Sequence, residues 1–246
     1  MKQKEKLYTE EQNKEIQSIW DKFKKDIIHN NRFFSGKDIV SILDKIRRID
    51  EERNNDESLA VTLSPMNGCI NLYRARIGNY INEEDNEMLN PPDKKTNAGR
   101  CNPKGISYLY LASNEDTAIQ EVRPNLGDEV TVAEIKIAPV DILGFDAMIK
   151  ANDILIGRQL KTWDVEALIN IINNDLSKVV TVGDENEYAP YQFLAEYIKN
   201  RGFGCFRFSS SIAKGTNYVL FDSCDVEIVS KKLYKVNKLI CNYEEI

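Results

Sequence analysis

The chain has 246 residues, 42% of them hydrophobic, which is enough to fill the core of one sizeable domain or of a domain with an appendage. Lys and Arg number 33 against 39 Asp and Glu, a formal charge of −6. That balance is the opposite of what displaces counterions from a nucleic-acid backbone, so no direct nucleic-acid binding is expected, although a few local arginines can still hold a small anion.

No run approaches the roughly 20 apolar residues of a membrane helix, and the Lys- and Glu-rich start lacks an apolar signal stretch. The expectation is a cytoplasmic protein with no membrane association. Cys69, Cys101, Cys205, Cys224 and Cys241 form no CxxC pair and His29 is the only histidine, so no metal site is expected and the thiols read as reduced.

Ile16, Ile19, Trp20, Phe23 and Ile27 recur at three- and four-residue steps and predict a helix. Ile39, Ile42, Leu43, Ile46 and Ile49 predict a second from about Asp38, with Ser35 and Asp38 as a variant capping box. His29 is expected in a solvated loop between the two, and the charged stretch 50–58 ends the unit.

From about Val61 the pattern changes to β-rich runs at 70–77, 106–112, 130–138, 203–208, 217–221 and 226–229. Helices are expected at 114–122, capped by Ser113 or Asn114, at 163–173 and at 190–200. Residues 78–105 are polar, carry Pro91, Pro92, Asn97, Gly99, Asn102 and Pro103 without a period, and read as a long functional loop. The fold class is therefore α+β, with a helical N-terminal extension over 1–60 and one domain over 61–246.

The chemistry-bearing residues concentrate in one ordered stretch. Gly99-Arg100-Cys101-Asn102-Pro103-Lys104-Gly105 precedes a strand with Tyr108-Leu109-Tyr110-Leu111-Ala112, and a helix with Ala118-Ile119-Gln120-Glu121 follows. An arginine presents a planar fork of donors suited to a small anion. Tyr110 offers a flat ring and a hydroxyl, and a carboxylate such as Glu121 can accept hydrogen bonds and stabilise positive charge. Ser210 has no histidine near it in sequence to activate it, so positioning is its expected role.

This arrangement resembles the RES domain family, named for an arginine, a glutamate and a serine. Arg100, Tyr110 and Glu121 occupy the places of its first motif, and Leu72-Tyr73-Arg74-Ala75-Arg76 resembles its opening strand. Further blocks agree: Tyr188-Ala189-Pro190-Tyr191-Gln192-Phe193-Leu194-Ala195-Glu196, Phe206-Arg207-Phe208-Ser209-Ser210-Ser211 and Gly215-Thr216-Asn217-Tyr218-Val219-Leu220-Phe221. The chain departs from the pattern at Cys101, where a bulky residue is common, and offers three adjacent serines, of which Ser210 matches best.

The resemblance implies an ADP-ribosyltransferase-like mixed sheet and cleavage of NAD with loss of nicotinamide. NAD would be the substrate, and no cofactor or metal would be needed. It assigns Arg100, Tyr110, Glu121 and Ser210 to catalysis and Arg74, Tyr73, Asn102 and Asn217 to substrate binding. It also implies the toxin of a toxin-antitoxin pair that arrests growth by NAD depletion, with an antitoxin protein as partner; a homo-oligomer is left open.

Water, phosphate or a protein side chain could accept the ADP-ribose, giving a glycohydrolase, a phosphorylase or a protein ADP-ribosyltransferase. The rival from another class is a binding module that kept the fold without turnover. Arg76 is expected to be structural, Gln192 and Tyr188 either shape the pocket or pack, and the acidic runs 51–56 and 83–87 face solvent.

Overall fold

Helix α1, Glu10–His29, starts with a reciprocal cap: Thr9 accepts from the Gln12 amide at 3.2 Å and Gln12 accepts from the Thr9 amide at 2.8 Å. Its buried stripe is Ile16, Trp20, Phe23 and Ile27, as the spacing predicts. His29 is the exposed last residue of this helix rather than part of a loop. Helix α2, Lys37–Glu51, buries Ile39, Ile42 and Leu43.

These contacts come from a computed structural model that describes residues 8–34, 36–51, 62–65, 69–145, 163–178, 185–223 and 225–239. Ser35 of the expected cap, Cys224, Cys241 and the boundary at 60–61 lie outside the described residues. Cys69, Cys101 and Cys205 are free thiols.

Among the described residues the remaining helices are α3 (Glu115–Glu121), α4 (Trp163–Leu176) and α5 (Ala189–Asn200). Among the described residues eight strands form one sheet: β1 (Thr62–Pro65), β2 (Ile70–Ile77), β3 (Leu109–Ala112), β4 (Glu129–Ile137), β5 (Asp141–Gly144), β6 (Cys205–Ser209), β7 (Thr216–Leu220) and β8 (Val226–Lys235). Their order is β1-β5-β6-β7-β3-β2-β4-β8, and β5 with β6 is the parallel pair in an otherwise antiparallel sheet. The fold is therefore mixed α+β, as expected.

Strands β1 and β5 were not expected, because four residues are too few to establish an alternation. Strand β8 runs six residues beyond the expected 229. That extension carries Lys231, Lys232 and Lys235, residues common on an exposed sheet edge but rare in the apolar patterns used to find strands. In the long loop, short 3-10 turns at Asp85–Met88 and Asp93–Lys95 supply local order, and Met88 is fully buried.

Side chains alternate between the two faces of each strand, and this creates three apolar layers. Phe206, Phe208, Val219 and Leu143 face α1, α2, α4 and α5 in one cluster, so the N-terminal helices share the main core. The opposite faces of β3, β6 and β7 pack on Leu72, Ala133, Ile135 and Ile137. The far face of β2 and β4 receives α3 through Ala75, Val130, Val132 and Ala118.

β2 pairs with β4 along its whole length, from Ile70 with Ile137 to Ile77 with Val130. It meets β3 through one registered pair, Tyr73 with Ala112. Residues 73–75 of β2 and 110–112 of β3 both line a cleft beside this sparse pairing. Among the described residues no helix is long and apolar enough to cross a membrane.

Candidate functional site

The cleft has a volume of about 310 Å³ and is lined by Tyr73 and Arg74 from β2, by Arg100, Tyr110, Glu121 and Asn217, and by the apolar Phe208, Ala118 and Val122. Six of the eight residues expected from sequence thus converge on one cavity. Ser210 reaches it through Glu121, and Asn102 stands behind its wall.

Glu121 ends α3, a seven-residue helix capped by Asn114, whose side chain accepts from the Thr117 amide at 2.8 Å. Of the two possible caps Asn114 is used, and Ser113 Oγ instead accepts from the Thr216 amide at 3.0 Å. A carboxylate at a helix C-terminus meets the negative end of the helix dipole. Two donors offset that: Glu121 Oε1 accepts from Ser210 Oγ at 2.7 Å and from Asn217 Nδ2 at 2.6 Å. Oε2 accepts from neither.

Ser210 Oγ also accepts from the amides of Ile212 and Ala213, at 3.2 and 3.0 Å. Its proton is therefore directed to Glu121, which suits positioning and not attack. Ser209 faces elsewhere, accepting from Asn173 Nδ2 at 3.2 Å. The turn before Asn217 packs tightly on α3: a Cβ on Gly215 would lie 2.1 Å from Thr117 Oγ1.

The opposite wall is the Arg100 loop. Tyr110 donates its hydroxyl to Asn102 Oδ1 at 2.7 Å and accepts from the Cys101 amide at 3.1 Å. Burial holds its phenol well above the usual range, so it stays protonated. Its hydroxyl is committed to this loop, and the residue lines the cleft.

Asn102, expected to touch substrate, is 3% exposed, and its amide donates to the carbonyls of Asn97 and Ile106 at 3.0 Å each. The hydrogen bonds of this buried side-chain amide are all made within the protein, and they brace the loop. Gly99 leaves room for this arrangement, since a Cβ there would lie 2.4 Å from Asn102 Oδ1. The guanidinium of Arg100 donates to the Leu176 carbonyl and, at 3.1 Å, to that of Lys178. These are orphan carbonyls at and just past the end of α4, where a cation also matches the helix dipole.

Gln192 was not assigned a site role from sequence, yet its Nε2 donates to the carbonyls of Gly99 and Asn102 at 3.0 and 3.1 Å and holds the loop from outside. Its motif block was visible; its direction was not. Phe208 was also missed, although the alternation of β6 marks it as inward-facing. Burial pushes the Cys101 thiol up to about 12, so it is not a ready nucleophile.

Arg74 differs from Arg100. Its Nη1 reaches the Tyr110 carbonyl only at 3.4 Å, and its Nε is buried without a partner. Burial and the neighbouring Arg76 bring its guanidinium down to about 10, which leaves it charged at neutral pH. Arg76 is taken up structurally, paired with Glu87 at 3.4 Å and lying 5.2 Å from the Tyr80 ring centre. Among the described residues no group of three metal-ligating side chains occurs.

A family model for the RES domain matches residues 71–236. This chain belongs to the RES domain family. The matched part of the RES domain begins inside β2, ends just after β8 and contains every cleft-lining residue, while α1 and α2 lie before it. No curated protein matches. A solved chain from the crystal structure of the M. tuberculosis MbcT-MbcA toxin-antitoxin complex is similar at a TM-score of 0.43 and 14% identity, over 77% of this chain and 91% of that one.

Proposed function

We propose that this RES domain cleaves the bond between nicotinamide and ribose in NAD. The observation that carries the reading is the Glu121 carboxylate, oriented through one oxygen by Ser210 and Asn217, in a cleft also lined by two arginines. An acidic group and two cations in one cavity match a ligand that develops positive charge at one point and carries negative charge at another.

In this reading the pyrophosphate lies against Arg74 and Arg100, and supplies the partner that the buried Arg74 Nε lacks. The nicotinamide ring packs on the Tyr110 face with Phe208 nearby. Glu121 Oε2 holds a ribose hydroxyl and stabilises the oxocarbenium-like charge as the bond to nicotinamide breaks. The bonding pair returns to the pyridinium nitrogen and nicotinamide departs neutral, so no general acid is required. ADP-ribose then passes to water or phosphate, with Glu121 placed to take the acceptor's proton.

Physiologically, the motifs shared with the family favour the toxin of a toxin-antitoxin pair, acting by NAD depletion and held in check by an antitoxin protein. The purified protein should release nicotinamide from NAD, measured by chromatography with and without inorganic phosphate. A phosphate-dependent sugar phosphate would identify a phosphorylase, free ADP-ribose a glycohydrolase, and label on protein bands an ADP-ribosyltransferase. Unchanged NAD in every arm would overturn the proposal and favour a binding module.

A further inference from the structure

The last turn of α4 touches both catalytic walls and the N-terminal helix. On one side the carbonyls of Leu176 and Lys178 accept from Arg100. On another, Asn173 brackets Ser209, accepting from its amide at 3.0 Å and donating to its hydroxyl at 3.2 Å. Ser177 Oγ donates to the Ser209 carbonyl at 2.9 Å. Ser209 is the residue before Ser210, the donor to Glu121. One helical turn thus holds the arginine wall and the serine that orients the carboxylate.

The same turn carries Asp175, which is 4% exposed and has both carboxylate oxygens engaged. Trp20 Nε1 and Lys24 Nζ, both from α1, donate to Oδ2 at 2.6 and 2.7 Å, and Lys178 Nζ donates to Oδ1 at 2.5 Å. Trp20 is itself fully buried and packs near Tyr191 of α5, with ring centres 6.3 Å apart. An indole donor and two ammonium groups on one buried carboxylate exceed what packing a helix on a core requires, because apolar contacts alone would serve that purpose.

We propose that α1, although it precedes the matched family segment, is a clamp on the active site: Trp20 and Lys24 hold Asp175, and through the end of α4 they position Arg100 and Ser210. Trp20, Lys24, Asp175 and Asn173 are positioning residues in this scheme. Its catalytic consequence rests on the NAD reading, while the clamp itself is a statement about geometry that can be measured without turnover.

The clamp predicts a split between variants. Trp20→Phe keeps the aromatic packing and removes one donor; Asp175→Asn keeps the shape and removes the charge. Both should raise KM for NAD about tenfold, through a loosened Arg100, and lower kcat as well. Asn173→Ala cuts only the link to Ser209, so kcat should fall about tenfold with KM within about twofold of the parent. Ile27→Val, elsewhere on the buried stripe of α1, lowers stability without touching Asp175 and should leave both constants unchanged.

The direct test is hydrogen exchange in the full chain. In Trp20→Phe and Asp175→Asn the amides of Gly99, Cys101, Ser209 and Ser210 should exchange about tenfold faster, while those of the β2–β4 ladder should not change. Unchanged exchange at these four amides in folded Trp20→Phe would overturn the clamp, whatever the activity. An equal rise of KM in Ile27→Val would also overturn it, since the effect would then be general loosening. Accelerated exchange together with no nicotinamide release by the parent protein would leave the clamp standing and defeat only the NAD reading.

Discussion

Arg100 directs its donors to the carbonyls that end α4, while Arg74, across the same cleft, holds a buried Nε with no partner and one long bond to the Tyr110 carbonyl. A guanidinium already satisfied by the protein is fixed before any ligand arrives and needs no reorganisation during reaction. A buried donor left unsatisfied costs stability in the free protein and regains it when an acceptor enters. The two walls therefore differ: one is preorganised geometry, the other keeps a buried donor without a partner. Glu121 belongs with the first kind, being oriented by two donors through one oxygen.

The largest effect is expected where the preorganised carboxylate loses its charge. Glu121→Gln preserves size and should lower nicotinamide release about 1000-fold with the thermal midpoint unchanged, as followed by chromatography and calorimetry. Full activity in that variant would refute the assigned role. Next, Arg100→Lys replaces a planar fork with a single ammonium that cannot bridge the Leu176 and Lys178 carbonyls in the same way. Its kcat/KM should fall about 100-fold, and a smaller change than in Arg74 variants would invert the comparison.

Arg74→Met should separate the walls most clearly. NAD affinity should fall about 30-fold, yet the ligand-free protein should gain about 1 kcal/mol of stability in denaturant titrations, because a guanidinium with a buried, unpartnered Nε and one long hydrogen bond is replaced by an apolar chain. Lost stability would mean that Arg74 is already satisfied without ligand.

The smallest effect concerns pH and the carboxylate behind the Arg100 wall. Burial alone would raise the Asp175 carboxyl, but hydrogen bonds from Lys178, Lys24 and Trp20 outweigh it and hold the group below its ordinary value. A depressed carboxylate adds stability that is complete above the unfolded value of about 3.9 and is lost as pH falls through the lower folded value. Unfolding midpoints followed below about pH 4 should therefore decline less in Asp175→Asn than in the parent. Parallel declines would remove Asp175 from the account.

Much of the site is legible in the sequence. The motif order around Arg100, Tyr110 and Glu121 points to residues that share a cleft, and Ser210 donates to Glu121. Asn102 shows the limit: its place in the motif marks it as important but cannot tell a ligand contact from an internal brace. Gln192 shows the converse, a helix residue whose sequence allows either packing or a place at the pocket and whose amide holds the Arg100 loop. The short strands β1 and β5 carry no signal of their own, because their pairing is set by neighbours and not by their own pattern.

Sequence alone determined what depends on residues a few places apart: the apolar stripe of α1, the bounds of β2, the cap of α3 to within one residue, and the α+β class. Only the tertiary structure decided that β2 and β3 share a single registered pair, that Ser210 and Asn217 meet Glu121 across 89 and 96 residues, and that Trp20 reaches Asp175 across 155. Periodicity records which side of an element is apolar, because that follows from local backbone geometry. Which distant side chain fills a given hydrogen bond follows from how whole elements pack, and no local spacing encodes it.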